Sequence, residues 1–243
     1  MTDDQMKDTP ADAAAAAGGN AQTPQNAQNP TPDSGSGEKI NGNDAVNQAA
    51  EAWKDAASRN IPPVGLDPTP IDDDTANLRQ GPSLNDALLG LLPLVGVWQG
   101  EGQGFDENDE QYAFGQQLII AHDGGEYLTY TSRTWRLDEN GNSQGATIRE
   151  TGFWRISPKD EIEMTYTSST GIVEIFYGEP YNERAWQLES ASTMVTETGP
   201  KKLGPGRRMY GLMPNNDLGW VDERMGDGEL KPNMSAQLKR IAG

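Results

Sequence analysis

The stretch from Leu94 to Gly104, LVGVWQGEGQG, sets Gly96, Gly100 and Gly102 around one tryptophan. Read as a strand, residues two apart share a face, so Gly96, Trp98, Gly100 and Gly102 all point the same way. A row without side chains beside a single indole suits a sharply bent strand that other backbone, or a bound molecule, approaches closely. The simpler version is a bent barrel strand with a core tryptophan, and it predicts that Trp98 is buried.

The rest of the chain repeats short β segments punctuated by turns. Tyr112 to Ala121 reads as a strand, Asp123-Gly124-Gly125-Glu126 as a turn, and Tyr127 to Leu137 as the hairpin partner. Asn140-Gly141 marks the next hairpin. Further strands follow at Thr147 to Ile156, Glu161 to Thr167, Ile172 to Tyr177, Ala185 to Ala191, Arg207 to Met213 and Leu218 to Met225, with a tail strand around Met234 to Ile241. In Glu161 to Thr167 the alternation puts Ile162, Met164 and Tyr166 on one face. Nine or ten short antiparallel strands with tight turns predict an all-β, up-and-down barrel, because closure removes the sheet edges. A barrel of that strand number has room for a small ligand. A two-sheet sandwich is the competing architecture.

The first third of the chain reads differently. Met1 to about Asp44 is rich in Ala, Gly, Asn, Gln, Pro and Asp, too polar to offset the entropy of ordering it, and is predicted to be disordered. Ala45 to Ala57 predicts a short helix with Val46, Ala49, Ala50, Trp53 and Ala57 on one side. Asn60-Ile61-Pro62-Pro63 ends it, and an acidic linker follows. The division is therefore 1–78 as acidic arm and linker and 79–243 as the barrel. At its start, Pro82 to Leu92 predicts a short apolar helix capped by Ser83 and stopped by Pro93.

Charge and composition remove several function classes. A formal charge of -18 disfavours nucleic acid and anionic membrane surfaces as partners. Without cysteine there is no disulfide framework, thiolate nucleophile or cysteine metal site. No stretch has the roughly 18 apolar residues of a membrane helix, and the acidic start MTDDQMKDTP is unlike an export signal; the expectation is a cytoplasmic protein. The single histidine, His122, stands at a strand end, where a hydrogen-bonded structural role is expected. It has no second histidine to form a zinc pair. Gly100-Glu101-Gly102-Gln103-Gly104 precedes no helix and lacks the positive terminus of a phosphate loop. No catalytic constellation and no metal site emerge from the residues.

Gly96-Val97-Trp98-Gln99-Gly100-Glu101-Gly102 resembles the GxWxGxG signature of the nitrobindin family, itself distantly similar to fatty-acid-binding proteins. The likeness continues through Ile120-Ala121-His122-Asp123-Gly124-Gly125, Tyr127 to Thr131, Thr170 to Ile175 and Leu230 to Leu238. It implies a ten-stranded barrel that holds ferric b-type haem, and an activity that isomerises peroxynitrite to nitrate. One position departs from the pattern. Where the family places its proximal iron-ligating histidine, this chain has Asn233. His122 matches a histidine that other members place on the distal side. A neutral carboxamide is a poor replacement, since haem iron is normally held by His, Cys, Met or Tyr. Met234 is adjacent, but strict strand alternation would point it away from a cavity that Asn233 faces.

Three expectations follow. The first is a nitrobindin-like barrel without axial haem ligation, holding no cofactor and binding a small hydrophobic ligand. The second is a haem peroxynitrite isomerase with non-standard ligation. The third is a protein-interaction scaffold that uses its acidic arm.

Overall fold

A computed structural model of the 243-residue chain describes residues 41–54, 70–106, 108–200 and 203–243. The expected disorder of residues 1 to 44 lies almost wholly outside them. The chain divides into two units, Met1–Leu66 and Asp67–Gly243.

In the first unit, helix α1 spans Gly42–Lys54. It begins three residues earlier than predicted because Asn41 caps it: the Asn41 side-chain oxygen accepts from the backbone N–H of Asn43 at 2.8 Å and of Asp44 at 3.2 Å.

The second unit opens with a 3-10 helix over Asp86–Leu94. Asn85, not Ser83, is its N-cap, its side chain accepting from Ala87 N–H at 3.0 Å. Pro93 lies within the last turn instead of stopping it, since its fixed φ is compatible with a 3-10 turn. With three residues per turn, Leu88, Leu91 and Leu94 stack into one ridge, and all three are buried.

Ten strands follow: β1 (Gly96–Phe105), β2 (Gln111–Ala121), β3 (Leu128–Leu137), β4 (Ser143–Ile156), β5 (Ile162–Ser168), β6 (Ile172–Asn182), β7 (Ala185–Val195), β8 (Gly206–Leu212), β9 (Leu218–Gly226) and β10 (Glu229–Ala242). Each pairs antiparallel with its sequence neighbours, and β10 pairs with β1 to close the barrel. The sandwich alternative is thereby excluded. Strand ends differ from the sequence reading by a few residues, most at β4, β6, β7 and β10, which run on into their hairpins.

The glycine row of β1 explains the closure. A Cβ on Gly100 would collide with the backbone oxygen of Gln237, and one on Gly102 with the backbone oxygen of Ser235 and the Phe114 ring. The inward face of β1 is bare because β10 wraps against it, so the close approach is by backbone. Trp98 is wholly buried. Its indole N–H donates to Leu94 O at 2.9 Å, and the Arg240 guanidinium lies 4.1 Å above its ring. That guanidinium also donates to the carbonyls of Val95 and Pro93, tying β10 to the end of the 3-10 helix.

The barrel interior is graded from one end to the other. Inward residues of β9 run Leu218, Trp220, Asp222, Arg224; those of β8, from the same end, run Leu212, Tyr210, Arg208. β5 runs Ile162, Met164, Tyr166, on one face as predicted, and all three are buried. The apolar end is the one against which the 3-10 helix packs; charge gathers at the other. Among the described residues no helix is long and apolar enough to cross a membrane.

Candidate functional site

The charged end of the barrel holds five ionisable side chains in mutual contact. Asp222 on β9 sits at the centre. Its Oδ1 accepts from Arg208 Nε at 3.0 Å and from Arg224 Nη2 at 2.9 Å, and its Oδ2 accepts from Arg224 Nε at 2.9 Å. Arg208 also donates to Glu150 at 2.9 Å, and Arg224 to Glu174 at 2.7 Å. Hydroxyls complete the shell: Tyr130 donates to Glu150 at 2.8 Å, while Tyr166 and Thr193 donate to Glu174 at 2.7 Å each. The Arg208 guanidinium lies 4.4 Å above the Tyr166 ring.

Taking such charges out of water is expensive unless each is paired and hydrogen-bonded. Here three carboxylates face two guanidiniums, and every one of the five has at least two partners. Burial alone would raise the Asp222 carboxyl, but Arg208 and Arg224 outweigh it, helped by the hydrogen bond from Asn233, and hold it below the usual carboxylate range. Burial pushes the Tyr130 hydroxyl well above the ordinary phenol value, and the neighbouring Glu150 carboxylate adds to it. These phenols act as neutral donors.

Asn233 belongs to this cluster. Its Nδ2 donates to Asp222 Oδ2 at 2.6 Å. It does so from a β-bulge: β10 pairs with β9 as Pro232 opposite Glu223 and then Met234 opposite Asp222, leaving Asn233 as the extra residue. The bulge overturns the expectation from strict alternation. Met234 does not point away from the interior; it packs against the buried core, level with Gly104 of β1, while Asn233 reaches an inward carboxylate.

Asp222 accepts four hydrogen bonds, which fills the lone-pair sites of a carboxylate. It has no capacity left for use as a base or as an ion ligand. Among the described residues no group of three or more His, Asp or Glu side chains is placed to hold a metal ion.

His122 lies elsewhere. The β10–β1–β2 register puts Met234 level with Gly104 and Gly104 level with Tyr112, ten residues short of His122 along β2, roughly 33 Å of strand at the usual rise. The structure does not bring His122 and Asn233 together. His122 is wholly buried at the apolar end, its backbone exchanging two hydrogen bonds with Thr75 at 2.8 and 3.0 Å. Its ring, expected to be hydrogen-bonded, has no partner at either nitrogen.

Sequence reasoning missed Glu150, Glu174, Arg208, Asp222 and Arg224. The signal was present in strand parity. Asp222 and Arg224 share a face with Leu218 and Trp220, and Arg208 shares one with Tyr210. Three charges on the core face of two adjacent strands imply that they neutralise one another inside.

Residues 87–240 match a family described as a THAP4-like, heme-binding beta-barrel domain. A ferric nitrobindin-like protein of Corynebacterium diphtheriae is 67% identical over 204 residues, covering 84% of this chain and 90% of that protein. Peroxynitrite isomerase 2 of Mycolicibacterium smegmatis is 46% identical over 221 residues, covering 88% and 97%. The crystal structure of Rv2717c from M. tuberculosis superposes with a TM-score of 0.56 at 27% identity, covering 65% of this chain and 99% of that one.

Proposed function

The chain belongs to the nitrobindin family of haem-binding β-barrels, and from that premise we propose that this member works without haem iron, as a barrel that binds a small ligand in its apolar end. The observation that carries the reading is the hydrogen bond from Asn233 to Asp222. A carboxamide in the proximal position offers iron no imidazole lone pair, and this one is turned onto a carboxylate already bound by two arginines. The groups around it do not suit an iron porphyrin. A flat apolar ring placed against Arg208, Arg224, Glu150, Glu174 and Asp222 would separate charges that now satisfy each other, and unpaired buried charge is strongly unfavourable.

The apolar end is the better place for a ligand. Leu118, Ile120, Leu128, Trp154, Ile162 and Met164 are all buried there, so a small hydrophobic body would lose little by leaving water.

Haemin titration followed by absorbance tests the reading. Wild-type protein should give only a broad, weak Soret band that does not survive gel filtration. A stoichiometric, sharp ferric-haem spectrum would overturn the proposal. It would favour the second reading, a haem-dependent isomerase like the relatives that carry that name, for which the core-facing Met234 is the nearest candidate ligand. Asn233→His separates ligand loss from loss of the cleft. Asp222 can accept from an imidazole N–H as it now accepts from the amide, an arrangement that orients metal-bound histidines elsewhere. If the cleft survives, the variant takes up haem; if the charged cluster closes it, neither protein does.

A further inference from the structure

Three side-chain atoms among the described residues are buried without a hydrogen-bond partner: Nδ1 and Nε2 of His122, and Nε1 of Trp154. Both residues are wholly buried. Ala121 pairs with Thr129, so His122 falls level with Leu128, and Leu128 pairs with Trp154. The two side chains therefore enter the barrel on one row, two strand spacings apart, roughly 10 Å at the backbone.

The other buried indoles are all satisfied. Trp98 donates to Leu94 O at 2.9 Å, Trp186 to Gly90 O at 3.0 Å and Trp220 to Gln116 Oε1 at 2.7 Å. Two of these use carbonyls of the 3-10 helix that packs on the same end of the barrel. Trp154 is the exception, and it shares its row with the one histidine of the chain. Buried polar groups are nearly always paired, and an orphan calls for a partner that the chain does not supply.

We infer that His122 and Trp154 form a binding site in the apolar end of the barrel for a small uncharged molecule carrying both a hydrogen-bond acceptor and an O–H or N–H donor. The inference rests on the haem-free reading above and gives the ligand its chemistry. The indole offers one donor, and the neutral imidazole one donor and one acceptor. A guest with an acceptor and a donor can pair the indole N–H and the acceptor nitrogen of the imidazole. Leu128 stands between the two residues on the row, so the rest of the guest meets hydrocarbon. An anion is the wrong occupant: at this end the Arg240 guanidinium already donates to the carbonyls of Val95 and Pro93, Arg208 is committed to Glu150 and Asp222, and an unpaired charge in this wall would be too costly to bury.

The experiment uses the full haem-free chain carrying nitrogen-15-labelled histidine. With His122 as the only histidine, the two imidazole resonances need no assignment. Unlabelled imidazole, above its own pKa, is the uncharged donor–acceptor probe, and acetate is the anion of similar size. Imidazole should move both resonances saturably and acetate should not. Trp154→Phe, which keeps a ring but loses the N–H, should weaken imidazole binding about tenfold; His122→Leu, followed by calorimetry, should abolish it. The comparison of probes on wild type stands even if a variant fails to fold. Resonances that imidazole leaves unmoved, whether solvent-exposed or held by a trapped water, would overturn the site, as would an equal response to acetate. Haemin uptake by wild type overturns the haem-free reading itself, whereas a silent imidazole titration removes only this site.

Discussion

Asn233 donates to Asp222 across 2.6 Å from the bulge that separates Pro232 from Met234. The relationship ties the residue at position 233 into the charged cluster. An amide there supplies the fourth hydrogen bond to a carboxylate that two guanidiniums already surround.

Asp222→Asn should therefore be severely destabilising. It leaves Arg208 and Arg224 facing a neutral group inside the barrel, and breaking a buried pair in this way costs about 3 to 5 kcal/mol. Urea unfolding of the two proteins measures it. A difference under about 1 kcal/mol would mean that water reaches the cluster.

The same residue sets an acid limit. Its folded pKa lies below the ordinary value, so its contribution is fully present above the unfolded carboxylate pKa of about 3.9. It is lost as pH falls from there through the folded pKa. Stability measured across this acid range should decline in wild type and decline less steeply in Asp222→Asn. Equal slopes would assign the acid sensitivity to other carboxylates.

Closure of the barrel should depend on the bare face of β1. In Gly102→Ala the new methyl meets the Ser235 backbone oxygen, the Phe114 ring and Ala236, and only the ring can move. A loss of at least about 1 to 3 kcal/mol is expected, the usual cost of overpacking. Gly42→Ala, whose Cβ meets nothing within 4 Å, is the control and should be neutral or slightly stabilising in thermal melts.

Trp98→Ala should cost about 3 to 5 kcal/mol, as truncation of buried aromatics does. Trp98→Phe separates the indole N–H from the ring, and loss of the bond to Leu94 O alone should cost about 1 kcal/mol. If both variants melt like wild type, the anchor has been misidentified.

The place to cut the chain is set by Thr75. Removal of Met1–Leu66 should leave the melting temperature nearly unchanged, since the barrel unit starts at Asp67. A start at Asn77 removes the two backbone hydrogen bonds between Thr75 and His122 and should lower it by a few degrees. Calorimetry of the two truncated chains distinguishes them, and identical behaviour would show that the bridge contributes nothing.

Much of this protein is legible in its residues alone. Period-two alternation in Ile162, Met164 and Tyr166, the Asn140-Gly141 turn and the glycine row beside Trp98 are local signals. Local backbone preference and side-chain parity are what a strand and its hairpin depend on, so the strands and their meander can be read directly. The absence of a histidine at position 233 is equally plain.

Tertiary structure decided what parity could not. A single extra residue at Asn233 turned both that side chain and Met234 toward the interior, and no pattern in Leu230 to Leu238 announces a bulge, because it depends on the register of β9 against β10. The helix cap moved from Ser83 to Asn85 because both residue types can cap, and only the packing of Leu88, Leu91 and Leu94 selects the start. Glu150, Glu174, Arg208, Asp222 and Arg224 come from four strands, and their charges cancel only once the barrel closes. Bulges apart, which residues face inward is written in the order of the chain; which of them meet is fixed by shear and closure, and these are properties of the whole sheet.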